Sequence, residues 1–194
     1  QRASFYQGNA RRLEILNQSS DMNSYLASLE MKISFNEFDK IGRPRIAQLI
    51  SKSNQFNLTT KRYDELQVKA LEEDKSLFTL QVRLLDQLGD NGMISVIICK
   101  KNQKTWLIDT WLMSCRVLGR RVEEAVLQHI ITHAAQEKAV SLEGSFIPTT
   151  RNGIVKDHYK KLGFKKLSVK SDDGSEKWEL AIKNYQFKDL PIAF

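Results

Sequence analysis

The stretch from Asp109 to Glu124 holds residue types that can bind a phosphate group at the start of a helix. An apolar run leads into Arg116-Val-Leu-Gly-Arg-Arg121, and a long helix-forming pattern follows at once. The first turn of a helix presents unpaired backbone N–H groups, and a glycine lets the chain approach a ligand closely. With the arginines added, these features predict a cradle for pyrophosphate. The alternative is an ordinary strand, turn and helix with solvated arginines.

The cysteines and paired histidines offer further chemistry. Cys115 precedes the turn, and a thiol near a helix N-terminus can act as a nucleophile. The alternative of a small buried thiol is favoured for Cys115, and Cys99 is predicted to lie in the core. His129 and His133 have a spacing that can bind zinc, but His-Ile-Ile-Thr-His lacks the glutamate of the zinc-protease motif, so we expect no metal site.

Two hydrophobic patterns, alternation for strands and helical spacing for helices, predict the elements that position these residues. The expected order is a helix over 1–28, a strand over 31–35, helices from Pro44 and Asp64, strands over 78–84, 94–99 and 106–112, a helix over 119–138, a strand over 140–146, a helix over 152–163, and strands over 164–169 and 177–183. Asp90-Asn91-Gly92 and Asp172-Asp173-Gly174-Ser175 predict turns. Asp64 and Gln67 have the spacing of a capping box, and Gly163 is expected to end its helix in the left-handed conformation. The nearly continuous apolar run over 94–99 predicts a strand buried on both faces. A three-strand meander cannot be all parallel, so the pattern predicts an α/β (α+β) fold with a mixed central sheet flanked by helices.

Composition narrows the class of partner. The 194 residues carry a net charge of +7, with +5 in residues 100–121 and +6 in residues 151–170. This basicity favours anionic partners, but no RNA-binding motif or helix-turn-helix signal supports nucleic acid. No apolar run is long enough to cross a membrane. Two cysteines without a CxxC motif predict a reduced, cytoplasmic protein.

Two segments of the chain resemble the GNAT (N-acetyltransferase) superfamily over about residues 29–183. Arg116 and Gly119 match its acyl-CoA-binding motif, whereas Arg121 stands where that motif has glycine or alanine. The run from Asn152 to Phe164 resembles the family segment that ends in Tyr-x-x-Leu-Gly-Phe. The resemblance implies a GNAT-like acyltransferase fold and a phosphopantetheine thioester or acyl-CoA as cofactor. Because Arg121 either crowds pyrophosphate or grips phosphate, it favours a carrier protein over free CoA.

A narrower resemblance connects the chain to FkbH-like proteins. The runs from Arg45 to Tyr63 and from Met113 to Arg120 are similar to their C-terminal region. These proteins join a HAD-type phosphatase domain to a GNAT-like domain and are associated with loading a glyceryl unit onto an acyl carrier protein. The resemblance implies that 1–28 is a helical linker from a missing N-terminal phosphatase domain, that 29–194 is the acyltransferase-like domain, and that an acyl carrier protein is a partner. The phosphatase signature Asp-x-Asp-x-Thr is absent.

The resemblance and the positions of polar residues within the predicted elements together suggest site residues. Tyr159 matches the tyrosine that protonates the leaving thiolate, or alternatively packs a helix onto the sheet. Glu143 and Asp109 are candidate bases, although a solvated carboxylate is favoured for each, and an exposed side chain is favoured for His158. The expected cofactor-binding residues are Leu112, Met113, Arg116, Val117, Leu118, Gly119, Arg120, Arg121, Asn152, Lys156 and Tyr159. The expected substrate-binding residues, with a loop cap as the alternative, are Asn54, Asn57, Thr59 and Thr60.

The sequence is therefore consistent with two alternative functions. The first is a domain that binds a phosphopantetheine thioester and assists acyl transfer. The second is a non-catalytic docking module that holds an acyl carrier protein beside a phosphatase domain.

Overall fold

The computed structural model describes residues 2–168 and 174–194. The strands there are β1 (Met31–Asn36), β2 (Leu77–Asp86), β3 (Gly89–Lys100), β4 (Thr105–Met113), β5 (Ser141–Phe146), β6 (Lys165–Lys166), β7 (Glu176–Ala181) and β8 (Ile192–Ala193). The helices are α1 (Arg2–Gln18), α2 (Met22–Ser28), α3 (Arg43–Lys52), α4 (Glu65–Glu73), α5 (Val122–Gln136) and α6 (His158–Lys161). The strands form one mixed sheet in the order β6-β7-β5-β4-β3-β2-β1-β8, which confirms the predicted class.

Two apolar layers cover the two faces of this sheet. The larger core joins β-strand side chains to α2 and to the apolar face of α5. The smaller core joins α3 and α4 to the other face, through Ile46, Leu49, Ile50 and Val68. β3 contributes Ile94 to the first core and Val96 to the second, so it is buried on both faces, as its continuous apolar run predicts.

Side-chain caps explain where the helices of the smaller layer begin. Asp64 accepts from the Gln67 amide at 2.8 Å, and the Gln67 side chain accepts from the Asp64 amide at 2.9 Å, so the predicted capping box is confirmed. Pro44 lies in the first turn of α3, where its missing N–H costs nothing.

The predicted turn at Asp90-Asn91-Gly92 is wrong. β2 and β3 pair as far as Asp86 opposite Gly89, so the hairpin turns before Asp90 is reached. The three residues instead lie in β3, where the register shifts and Gly92 has φ +69°. A G1-type β-bulge and a type I′ hairpin turn both use a residue with positive φ, and the same sequence signal therefore fits either structure.

Several predicted boundaries also move. The helix over 1–28 is divided at Asp21, whose side chain accepts from the amides of Asn23 and Ser24 and starts α2. α5 begins only at Val122, because Arg121 is left-handed with φ +61°. The predicted helix over 152–163 is a short 3-10 helix (Gly153–Val155) followed by α6, and the last predicted strand ends at Ala181.

The C-terminal end of the chain adds a strand that the sequence pattern did not predict. β8 pairs in parallel with β1. Asp172 and Asp173 of a predicted turn, and Val169 of a predicted strand, lie outside the described residues.

Across the described ranges, every helix is too short or too polar to span a membrane. The domain boundary near residue 28 stays a prediction, although α1 and α2 pack against the rest of the chain through Arg12 and Leu26.

Candidate functional site

The strands β4 and β5 separate along their length. They pair in parallel from Thr105 opposite Ser141 to Ile108 opposite Gly144 and then diverge. Residues 56–59, which we call the inserted segment, lie beside the second half of β4.

Backbone hydrogen bonds hold the inserted segment on both sides. The Leu58 amide donates to the Trp111 carbonyl, and the Met113 amide donates to the Phe56 carbonyl, both at 3.2 Å. On the other side the Ile147 amide, just after β5, donates to the Leu58 carbonyl at 2.8 Å. The segment therefore takes the place of β5 at this end of the sheet.

The predicted substrate residues mostly serve this insertion. Asn57 is fully buried and accepts from the Thr60 amide at 2.9 Å, which is the loop-cap arrangement. The Thr59 hydroxyl donates to the Asp109 carbonyl at 2.8 Å. Asn54 lines a pocket, and its amide oxygen accepts from Arg62 at 2.6 Å.

Asn152 also serves the inserted segment. Its fully buried side chain donates to the Asn57 carbonyl at 3.0 Å and to the Ile147 carbonyl at 2.9 Å. Its amide oxygen accepts from the Thr149 amide at 2.8 Å. Since both donors are used inside the protein, Asn152 fastens the segment to the end of β5 and has no N–H left for a cofactor.

Asp109 is buried in an ion-pair network, so the favoured solvated carboxylate is wrong. Its carboxylate accepts from the Tyr63 hydroxyl at 2.8 Å, lies 3.3 Å from Lys100 and pairs with Lys61. Burial raises the pKa of Asp109, but the hydrogen bonds from Lys61 and Tyr63 lower it further, to below its usual range. A carboxylate held in its charged form this way is a weak proton acceptor, and it anchors the loop after the inserted segment.

Tyr159 lies in the interior rather than on a cleft. Its ring packs against the backbone of Gly144, and burial raises the pKa of its hydroxyl. Neighbouring His158 is also buried, which makes the expectation of an exposed histidine wrong; burial lowers its pKa to about 3. Among the described residues, neither the Tyr159 hydroxyl nor His158 Nε2 has a hydrogen-bond partner. This arrangement favours the packing interpretation of Tyr159.

The remaining two catalytic candidates differ in access. Glu143 is half-buried in the middle of β5, opposite Glu179 of β7. Cys115 is exposed, so the favoured prediction of a small buried thiol is wrong, whereas Cys99 is buried as predicted. The strand ends at Met113, and the chain then turns outward into a short 3-10 helix, which carries the Cys115 thiol to the surface.

Two of the three arginines of the predicted phosphate turn, Arg120 and Arg121, are paired with acids of this chain. Arg120 is buried and donates to Asp86 at 3.1 Å. Arg121 donates to Glu124 at 2.9 Å, so it neither crowds the turn nor points outward to grip phosphate. Glu123 lies beside Glu124 in the first turn of α5, so this helix begins with two acids. Burial raises the pKa of Glu123.

The other predicted cofactor-binding residues differ in exposure. Val117 and Leu112 are buried in the two cores, whereas Lys156 is exposed on the loop before α6. Gly119, with φ +77°, and Leu118 are exposed. Arg116 is exposed and donates to the Ser114 hydroxyl at 3.0 Å.

A basic pocket of about 660 Å³ opens beside Cys115, between α3, the inserted segment and the end of β4. Its described lining has three cations, Arg45, Lys52 and Arg151, and no carboxylate. Burial, Arg116 and Arg83 lower the pKa of Arg45, which reflects the surplus of positive charge here. The other lining residues are Gln48, Leu49, Ser53, Asn54, Gln55, Phe56, Met113, Ser114, Cys115 and Thr150.

Sequence reasoning missed Arg45 and Lys52 as site residues. A signal for them exists, because Arg45, Gln48 and Lys52 are spaced i, i+3 and i+7 and so form a polar stripe along one face of α3. Arg151 lies in one of the two basic segments and joins the pocket from the loop after β5.

The histidine pair has a structural environment. His129 stacks on Phe35 with ring centroids 4.0 Å apart, and burial lowers its pKa to about 4. Within residues 2–168 and 174–194, no group of three His, Cys, Asp or Glu side chains is arranged to hold a metal ion.

Comparison with known proteins supports the fold. The chain resembles the ribosomal-protein-S18-alanine N-acetyltransferase of Escherichia coli with a TM-score of 0.57 and 13% identity, over 80% of this chain and 99% of that one. It resembles Ard1 of Thermoplasma volcanium with a TM-score of 0.56 and 14% identity, over 77% and 97%. It resembles the GNAT domain of S. lividans PAT with a TM-score of 0.59 and 11% identity, over 76% and 89%.

Sequence comparison adds no closer assignment. No protein-family profile matches the chain, and no curated protein matches it in sequence. The mixed sheet, the divergence of β4 from β5 and the structural likeness together show that this chain has the GNAT acetyltransferase fold.

Proposed function

We propose that the domain binds the phosphopantetheine thioester of an acyl carrier protein and assists transfer of its acyl group. The observation that carries this proposal is the basic pocket, which joins three cations, without a carboxylate, to an exposed thiol at the end of β4. Its volume of about 660 Å³ lies within the usual range for small-molecule sites. Arg45, Lys52 and Arg151 would hold the phosphate, and the bound arm would supply an activated acyl group.

The charges favour a carrier arm over free CoA. A carrier arm has one phosphodiester, whereas free CoA has a pyrophosphate in its place and a further phosphate on its ribose, and these extra anionic groups need a second anion site. The start of α5 would be that site, but Arg120 and Arg121 are paired with Asp86 and Glu124 there. Glu123 and Glu124 both lie in the first turn of α5, where acidic side chains already complement the positive end of the helix dipole.

Charge reversal in the pocket tests binding. We expect Lys52→Glu and Arg151→Glu each to weaken phosphopantetheine binding at least about tenfold, because each replaces an attraction to phosphate with a repulsion. Isothermal titration with phosphopantetheine measures this change. Lys69→Glu, on the exposed side of α4, is the matched control and is expected to change affinity less than about twofold. Equal affinities in all three variants would contradict the proposed pocket.

The exposed lysines after the pocket are proposed to contact the carrier protein itself. Arg151 at the pocket leads into Lys156, Lys160, Lys161 and Lys165, all exposed. We expect Lys160→Glu, Lys161→Glu and Lys165→Glu combined to weaken binding of an acidic holo-carrier protein more than about tenfold at low salt. Binding of free phosphopantetheine should stay unchanged, and an unchanged carrier affinity would refute this surface.

Cys115 is the proposed acyl acceptor within the domain. The acyl carbon would form a bond to Cys115 Sγ, the bond to the arm sulfur would break, and the thiol proton would pass to the released sulfur. Of the four catalytic candidates, Cys115 alone lines the pocket. The resemblance to FkbH-like proteins suggests a glyceryl group as the acyl unit and an upstream HAD-type phosphatase domain as partner.

The docking module is the second candidate, and the engaged state of the acid–base residues favours it. Asp109 is held in a salt bridge, and Tyr159 is buried. Single-turnover loss of the acyl group from an acyl-carrier protein separates the two functions. For transfer, we expect Cys115→Ser to slow the loss at least about a hundredfold and to abolish the acyl adduct seen by mass spectrometry, whereas Tyr159→Phe and Glu143→Gln change the rate less than about twofold. Equal rates in wild type and Cys115→Ser would leave docking as the function.

A further inference from the structure

We infer that the inserted segment is a permanent strand of the sheet, and that it confines a thioester arm to the basic pocket, on the Cys115 side and away from Tyr159. The identity of the arm rests on the proposed function. The confinement itself rests on contacts within this chain.

The first step concerns the edge of β4. One side of this strand pairs with β3 as far as Met113, and the other side pairs with β5 only as far as Ile108. Beyond that point the Trp111 carbonyl and the Met113 amide are bonded to Leu58 and Phe56. An extended chain with amide groups could bind this edge only by removing the inserted segment.

The second step concerns the cost of removal. Asn57 and Leu58 are 0% exposed and Phe56 is 3% exposed, and both apolar side chains belong to the larger core. Removal would expose these side chains to water and would leave the buried Asn152 amide without the Asn57 carbonyl. The ion pair of Lys61 with Asp109 holds the chain directly after the segment. These contacts make the segment part of the fold.

The third step concerns the two sides of the segment. Phe56 and Met113 line the basic pocket. The Phe56 ring also meets the His158 ring edge-on, with centroids 5.0 Å apart, and the Tyr159 ring lies 5.5 Å beyond His158. The segment is therefore a wall between the pocket and the interior that holds Tyr159. An arm in the pocket reaches Cys115 without crossing the wall.

Hydrogen exchange of the wild-type protein is the first test. We expect the exchange rates of the Leu58 and Met113 amides to lie within about tenfold of the rates of the β3 amides, with or without S-methyl phosphopantetheine. The probe should slow exchange of the amides around Cys115, whereas the Ser114 amide already donates to the Ile94 carbonyl at 2.7 Å and should change little. The inference is overturned if Leu58 and Met113 exchange like loop amides, or if the probe makes them exchange faster.

A reversible lock is the second test. Asn57 and Leu112 face each other as an antiparallel bridge pair, a separation that a disulfide can span. In a Cys115→Ser background, Asn57→Cys and Leu112→Cys would tie the segment to β4 when oxidised, and the reduced form of the same protein is the matched control. The S-methyl probe has no thiol and leaves the lock intact.

The lock gives opposed outcomes. We expect the oxidised and reduced forms to bind the probe with affinities within about twofold of each other. Loss of binding on oxidation would overturn the inference, because it would show that the arm needs the segment to leave. If even the wild type does not bind while Leu58 and Met113 stay protected, the proposed function fails and the permanent strand stands. If the double variant does not fold, exchange in the wild type decides.

Discussion

Asp86→Ala is expected to lower the free energy of unfolding by about 3–5 kcal/mol, the largest effect of any single change considered for this protein. The Asp86 side chain is 0% exposed and accepts from Arg12 at 2.8 and 3.0 Å and from Arg120 at 3.1 Å. Alanine would leave both arginines buried without their counter-ion. Denaturant unfolding followed by circular dichroism measures the loss.

The control for this change is an exposed carboxylate. Glu73→Ala removes a surface pair with Lys69, whose N and O atoms are 3.9 Å apart, and should cost less than about 0.5 kcal/mol. A cost below about 1 kcal/mol for Asp86→Ala would contradict the buried network.

Acidification gives an independent reading of the same network. Burial raises the pKa of Asp86, but the hydrogen bonds from Arg12 and Asn91 lower it below its usual range. Because the pKa is lower in the folded state than in the unfolded state, this stabilisation is complete above about pH 5 and is lost as pH falls through the folded pKa. The difference between wild type and Asp86→Ala should therefore narrow on acidification.

This network also shows which feature of the predicted phosphate turn the local sequence could not reveal. Arg120 follows Gly119 at the start of a helix, which is the sequence pattern of an anion site. Its partner Asp86 is 34 positions away in the chain, and Arg12 approaches from α1. Local sequence shows a charge and its spacing, but it does not show a partner that only the tertiary fold supplies. The same applies to Asp109. A charged residue type predicts a solvent-exposed side chain, but the partners Lys61 and Tyr63 come from a loop that is distant in sequence.

Local sequence patterns predicted many of the strands and helix ends. The apolar run of β3, the capping box at Asp64 and the left-handed glycine at 163 after α6 are short-range signals, and each is confirmed. The inserted segment gives a much weaker signal, because Phe56 to Thr59 alternates apolar and polar residues over only four positions, the shortest run that can indicate a strand. It is a strand only because β4 and β5 diverge and leave backbone groups that must be bonded.

The basic pocket shows the same division between local and tertiary information. The two basic segments were visible in the sequence, but Lys100, Lys101 and Arg121 within the first are paired with acids in the fold. The cations that remain around a cavity come from α3 and from the loop at Arg151. Net charge along a chain therefore located one wall of the pocket and missed the other.

Gly144→Ala is expected to cost about 1–3 kcal/mol or more, because the new methyl group would overlap the Tyr159 ring. Both groups are buried in the larger core, and a ring held among Phe164 and Trp178 cannot move aside easily. Thermal and denaturant unfolding measure the cost. Gly153→Ala, where a methyl group would meet no atom within 4 Å, is the matched control and should stay within about 0.5 kcal/mol of wild type.

A double-mutant cycle separates this overlap from any general intolerance of β5 to side chains. In Tyr159→Leu the ring is replaced by a smaller, flexible side chain, so adding Gly144→Ala to that background should cost at least about 1 kcal/mol less than adding it to wild type. Equal costs in the two backgrounds would contradict close packing of Tyr159 on Gly144. A measured coupling would place the tyrosine ring against β5 in solution, behind the inserted segment, where it supports the strand and has no access to a group bound in the basic pocket.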